Sequence, residues 1–127
     1  MFLLISFFRE KNQKVEPPSF LKRVNDCEVY KGMTAKFTAC ITGYPEPEYE
    51  WYRGDTKLWP TDRILMEDEG AGLVRLSIYH VDEDDAAKYS LRIFNPYGEE
   101  KSTGQMIFES KNHKKIFKHK LQILFKC

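Results

Sequence analysis

The sequence predicts an all-β protein, an antiparallel sandwich of seven to nine strands, and three observations predict it. Between residues 16 and 109 apolar and polar side chains alternate with period two, the spacing at which a strand turns successive side chains to opposite faces. Turn residues interrupt the alternation every eight to twelve positions or so, the punctuation of a sandwich rather than of strands joined by helices. No convincing helix precedes residue 110. A chain of 127 residues has room for one core with tails, and the expected division is a flexible extension over 1–15, the domain over 16–109 and a basic C-terminal tail over 110–127.

Each element has a local reason. Pro17-Pro18 marks the start, because proline fixes its own φ and holds its predecessor extended. In the next apolar run, counted as the second strand, Ala35, Phe37, Ala39 and Ile41 form one row and Lys36, Thr38, Cys40 and Thr42 the other. Cys40 therefore faces outward, since a one-residue slip would invert every side chain. Gly43-Tyr44-Pro45-Glu46-Pro47 turns the chain into Tyr49 and Trp51, which point to the core. Arg53-Gly54-Asp55 turns it again towards Leu58, Ile64 and Met66. Gly70-Ala71-Gly72 leads into Val74, Leu76 and Ile78. The acidic run Asp82-Glu83-Asp84-Asp85 leads into Tyr89, Leu91 and Ile93, alternating with Lys88, Ser90 and Arg92. Asn95-Pro96-Tyr97-Gly98 is a hairpin turn before Gly104, Met106 and Phe108.

Charge is unevenly distributed beneath a net +1. Residues 16–109 hold 11 Lys and Arg against 18 Asp and Glu, whereas residues 110–127 hold six Lys and no acid. An acidic body argues against a nucleic-acid-binding domain, which gathers Lys and Arg on one folded face. The apolar start Met1–Phe8 falls far short of the roughly 20 residues that span a bilayer and lacks the flanks of a signal peptide. Three cysteines, Cys27, Cys40 and Cys127, allow at most one internal bridge, and neither a CxxC nor a Cys/His cluster offers zinc-ligand spacing.

With these residues in place, the region from about Pro17 to Glu109 resembles an intermediate-set immunoglobulin domain of the kind strung along titin, twitchin and related giant muscle proteins. The resemblance rests on Pro17-Pro18-Ser19-Phe20, Gly32, Gly43-Tyr44-Pro45-Glu46-Pro47, Trp51-Tyr52, Leu76-Ser77-Ile78, Asp85-Ala86-Ala87-Lys88-Tyr89 and Asn95-Pro96-Tyr97-Gly98, in that order. It implies an immunoglobulin-like antiparallel β-sandwich with Greek-key connections and a structural core containing Ala39, Trp51, Leu76, Tyr89 and Leu91. The family places its inter-sheet cysteines at the positions of Ala39 and Leu91, so this chain is expected to lack that bridge. Tyr89 is the expected tyrosine corner, its hydroxyl bonding back to backbone near Asp84 or Asp85.

A bridge of that kind is typically worth about 2–4 kcal/mol, so secreted domains rarely lose it. Burial of a leucine contributes roughly 1.5–3 kcal/mol in its place. The loss points to a reducing interior, and the resemblance implies a cytoplasmic, non-catalytic structural and protein-binding module of a muscle filament. Its expected partners are sarcomeric or cytoskeletal proteins and neighbouring immunoglobulin or fibronectin-type domains. An extracellular adhesion or receptor domain is the alternative, favoured by a true signal and glycosylation acceptors; the sequence has no N-x-Ser/Thr.

Sharper chemistry finds little support. No serine or cysteine context supplies a nucleophile with a base and an orienting acid, and His80, His113 and His119 stand apart in sequence. No cofactor motif is present, and the acidic run lacks the ligand spacing of an EF-hand loop. Arg53-Gly54-Asp55 spells an integrin-binding tripeptide, but an ordinary turn is the expected reading. In the tail, Phe117, Leu121, Leu124 and Phe125 would share one face of a helix opposite lysines, although an unstructured tail is the plainer expectation. Binding is expected at edge strands, whose unpaired backbone accepts an added strand, and at the aromatics Tyr44, Tyr52, Trp59 and Tyr97.

Overall fold

Alternation becomes pairing in the computed structural model, which describes residues 14–109. The nine strands are β1 (Glu16–Lys22), β2 (Cys27–Tyr30), β3 (Ala35–Tyr44), β4 (Glu48–Arg53), β5 (Thr56–Lys57), β6 (Ile64–Asp68), β7 (Leu73–Ile78), β8 (Lys88–Asn95) and β9 (Gly98–Glu109). They form a four-stranded sheet in the order β1-β3-β7-β6 and a five-stranded sheet in the order β2-β9-β8-β4-β5. A single 3₁₀ turn, Glu83–Asp85, interrupts the described strands. The expected extension up to residue 13 and the basic tail 110–127, with His113 and His119, lie outside the described residues.

The inward rows meet between the sheets. Ala35, Phe37, Ala39 and Ile41 of β3 are buried, as are Val74, Leu76 and Ile78 of β7. They face Trp51 of β4, Tyr89, Leu91 and Ile93 of β8 and Met106 of β9, with Tyr49, Ile64, Met66 and Phe108 packed at the margin. Trp51 and Leu91 are direct register partners. Ala39 and Leu91 are both fully buried, so the two positions where a bridge would join the sheets are filled by a methyl and an isobutyl group. Cys27 is a buried free thiol, pushed up in pKa mainly by burial. Cys40 lies on the outward row of β3, half-buried.

The sequence reading needs two corrections here. The apolar run from Ala35 is the third strand, because Cys27–Tyr30 forms a short strand before it. The sandwich is also not wholly antiparallel: β2 runs parallel to β9, pairing Cys27 with Met106 and Tyr30 with Glu109. The reason is a sheet switch over Arg23–Asp26. Asn25 holds the crossing, its Oδ1 accepting from the Thr38 N–H at 2.8 Å and its Nδ2 donating to the Lys36 carbonyl at 3.2 Å. Asp26 Oδ1 accepts the Gln105 N–H at 2.9 Å, and Ser102 Oγ accepts the Val24 N–H at 3.0 Å. A side chain at Gly104 would collide with the Asn25 carbonyl, so only glycine lets the crossing lie against β9.

Candidate protein-binding surfaces

The acidic run closes on itself before it offers anything to a ligand. Asp82 caps the 3₁₀ turn, accepting the Glu83 N–H, while Asp85 returns to accept the Asp82 N–H at 2.9 Å. The buried Asp85 carboxylate also receives Arg63 Nη2 at 2.6 Å, and Arg53 Nη1 lies 3.6 Å from it. The Tyr89 hydroxyl donates to the Asp85 carbonyl at 2.6 Å, and its ring stacks on Phe37 at 5.0 Å between centroids. Burial, first of all, raises the Tyr89 pKa. These groups lock the corner between β7 and β8. Among the described residues no group of three or more His, Cys, Asp or Glu is arranged to hold a metal ion.

The Arg53-Gly54-Asp55 tripeptide sits at the β4–β5 turn, with Gly54 at φ 57° and its N–H donating to the Lys88 carbonyl at 2.9 Å. Its arginine is turned back towards Asp85. The arrangement is that of a structural turn.

A more extensive surface lies on the outer face of the five-stranded sheet. Register places Glu50 opposite Arg92 and Phe94 opposite Glu99. Arg92 donates from Nη1 to Glu50 Oε1 at 3.0 Å and from Nε to Glu99 Oε2 at 3.0 Å, and its guanidinium lies 4.3 Å from the Phe94 ring centroid. Glu50 also receives Lys57 Nζ at 3.0 Å and the Tyr52 hydroxyl at 2.9 Å. Lys57 in turn lies 4.3 Å from the centre of the Trp59 ring. One connected stripe of charge and aromatic surface therefore crosses β5, β4, β8 and β9.

The network shows in the acidities. Lys57 first, then Tyr52, holds the Glu50 carboxyl below the usual range. The hydrogen bond to Glu50 chiefly pushes Tyr52 up. Pairing with Arg92 lowers Glu99, and pairing with Glu99 raises Arg92.

The four predicted aromatics separate into two groups. Tyr52 and Trp59 belong to the stripe. Tyr44 and Tyr97 lie at one end of the sandwich, on turns clasped by Asn95, whose Nδ2 donates to the carbonyls of Glu16 at 2.9 Å and Pro45 at 3.0 Å while its Oδ1 accepts the Tyr97 N–H at 2.9 Å. Trp59 is 64% exposed and Tyr97 53%; Tyr44 and Tyr52 are half-buried rather than exposed. Of the predicted core set, Ala39, Trp51, Leu76, Tyr89 and Leu91 are all buried. The Trp51 indole N–H has no hydrogen-bond partner among the described residues, so packing alone holds the ring.

Sequence reasoning missed Glu50, Lys57, Arg92 and Glu99 as a unit. A signal was present: Glu48, Glu50 and Tyr52 alternate outward on one strand and Lys88, Ser90 and Arg92 on another. Joining them needs the register between strands some 40 residues apart, which alternation does not supply.

Comparison with known proteins agrees with this geometry. Residues 18–108 match the model of the immunoglobulin I-set domain. The chain is 34% identical over 93 residues to smooth muscle myosin light chain kinase of Gallus gallus, covering 73% of this chain and 5% of that protein. It is 31% identical over 93 residues to telokin of Meleagris gallopavo, covering 73% of this chain and 60% of telokin. It superposes with a TM-score of 0.74 and 26% identity on the titin domains Z1Z2 in complex with telethonin, covering 78% of this chain and 51% of that one. The chain belongs to the immunoglobulin I-set domain family.

Proposed function

We propose that this domain is a non-catalytic structural and protein-binding module of a titin-like muscle filament protein, spacing its neighbours and bearing tension in the sarcomere or cytoskeleton. The observation that carries this reading is the parallel pairing of β2 with β9. Traction on the two ends of the domain draws these neighbouring strands in opposite directions, so their hydrogen bonds are loaded together in shear instead of peeling in sequence. The first and last parts of the fold thus form one mechanical clasp.

Binding fits the same account. The stripe over β5, β4, β8 and β9 is cross-linked by ion pairs and hydrogen bonds, and Tyr, Trp and Arg are the residue types that anchor protein interfaces. Its expected partners are sarcomeric proteins and adjoining immunoglobulin or fibronectin-type domains, with Tyr52 and Trp59 on the stripe and Tyr44 and Tyr97 at the end of the sandwich as contact residues. Kinship with muscle proteins and a core built without the inter-sheet bridge support a cytoplasmic setting. Among the described residues no helix is long and apolar enough to cross a membrane.

Force spectroscopy of the chain held between handles tests the clasp. Val29→Pro, placed in β2, lowers the unfolding force, because proline lacks the backbone donor that ladder pairing uses. Leu65→Pro, on the edge strand β6 outside the clasp, leaves the force much less changed. Equal forces for Val29→Pro and wild type would overturn the mechanical reading.

A further inference from the structure

One edge of the four-stranded sheet leaves backbone groups open. β6 borders that sheet and pairs on one side, with β7, in an unbroken register from Ile64 opposite Ile78 to Asp68 opposite Val74. Along an antiparallel edge, residues alternate between bonding their partner strand and facing away from it. The Arg63 carbonyl accepts the Tyr79 N–H at 2.8 Å, and the Glu69 N–H donates to the Leu73 carbonyl at 3.0 Å, so Arg63, Leu65, Glu67 and Glu69 address β7. Ile64, Met66 and Asp68 therefore turn their N–H and C=O groups outward. Thr61 closes Ile64, whose N–H donates to Thr61 Oγ1 at 3.1 Å and whose carbonyl accepts the Thr61 N–H at 3.0 Å. Among the described residues no such bond closes Met66 or Asp68.

The other edges are blunted in ways that β6 is not. β1 carries two prolines near its start and register shifts along its length, β5 has two residues and β2 has four. β6 has five, with no proline and no bulge. Its side chains set what can lie alongside. Met66 packs at the core margin and Leu65 is 42% exposed. Next to them Glu67, Asp68 and Glu69 follow one another, and Arg75 lies 3.7 Å from Glu67 and 3.3 Å from Glu69. Asp68 accepts the Gly70 N–H and has no cationic partner among the described residues. The open edge is apolar at one end and acidic at the other.

We infer that β6 receives an antiparallel strand from a partner protein, an extended segment in which two basic residues are followed by two apolar ones. This rests on the protein-binding reading above and names the partner for one edge. Running antiparallel, the segment sets its basic residues opposite Asp68 and Glu67 and its apolar residues opposite Met66 and Leu65, and opposite charges facing each other across strands attract. The residues opposite Asp68 and Met66 exchange both backbone hydrogen bonds with them, which closes all four open groups. Charge disfavours a second copy as the occupant. Two β6 strands paired through the same open groups, Met66 against Asp68, would set Glu67 opposite Glu67, and like charges directly opposite are destabilising.

The probe is a capped synthetic peptide, Thr-Lys-Arg-Val-Val-Thr, titrated into the full chain and followed by amide hydrogen exchange in NMR spectra. Saturating peptide is expected to slow exchange at the Met66 and Asp68 amides by about tenfold and to leave Leu65 and Glu67, already bonded to β7, unchanged. N-methylation of the peptide at its Lys and first Val, whose N–H groups face β6, is expected to abolish binding, whereas N-methylation at its Arg and second Val is tolerated. Glu67→Gln/Asp68→Asn, which keeps an acceptor for the Gly70 N–H, is expected to weaken binding about tenfold, the combined worth of two cross-strand charge pairs, with an unchanged circular dichroism spectrum. Equal effects of the two N-methylation patterns, or no binding at millimolar peptide, would overturn the proposal. So would a dimer in sedimentation whose formation protects the same two amides. Peptide that protects the stripe over β4 and β8 instead would overturn this edge while leaving the protein-binding reading in place.

Discussion

Glu50 connects the surface stripe to stability because three side chains converge on its carboxylate. Its folded-state pKa is depressed, chiefly by Lys57 and then by Tyr52. A depressed carboxyl stabilises the fold above its unfolded value, near 4.3, and that contribution disappears as pH falls through the lower folded value. Glu50→Gln should therefore unfold at lower denaturant than wild type at pH 7, with the two curves converging in the acid range below about pH 4. A difference that stays constant down to the acid limit would mean that Glu50 acts through packing instead of charge. At this scale the core was legible and the stripe was not. Alternation alone placed Ala39, Trp51 and Leu91 inward and set Cys40 on the opposite row from its neighbour Ala39. The partners of Glu50 depend on cross-strand register, which a single strand does not encode.

At the scale of elements, hairpins were legible because their turns carry local chemistry. Asn95-Pro96-Tyr97-Gly98 and Gly70-Ala71-Gly72 reverse the chain with residues that tolerate tight backbone, whatever lies elsewhere. The short β2 was harder to see. It has four residues, and its partner β9 is some 79 residues away, so nothing local marks it as a strand. Its position depends on Asn25 and Asp26 holding the sheet switch and on Gly104 leaving room for the Asn25 carbonyl. Gly104→Ala should cost about 1–3 kcal/mol, as overfilling a packed site does, measured by chemical denaturation with the far-ultraviolet spectrum retained. An unchanged midpoint would show that the crossing yields without strain and that the clasp is looser than its geometry indicates.

For the molecule as a whole, membership of the I-set family and the departure from its bridge meet in one core. The five-stranded sheet supplies Trp51 and Leu91, the four-stranded sheet supplies Ala39, and burial takes over what a covalent link would otherwise contribute. Such a domain keeps its stability in a reducing interior, where a bridged relative would lose it. The charge division between the acidic residues 16–109 and the basic residues 110–127 belongs to this scale too, and sequence counts alone reveal it. The two sheets are held together by packing, with Ala39 and Leu91 standing where an inter-sheet disulfide would join them. The most direct test of this packing is chemical denaturation of the Cys127→Ser chain, which keeps Cys27 and Cys40, with and without reductant. The account predicts coincident midpoints; a loss on reduction of about 2–4 kcal/mol, the usual worth of a structural disulfide, would contradict it.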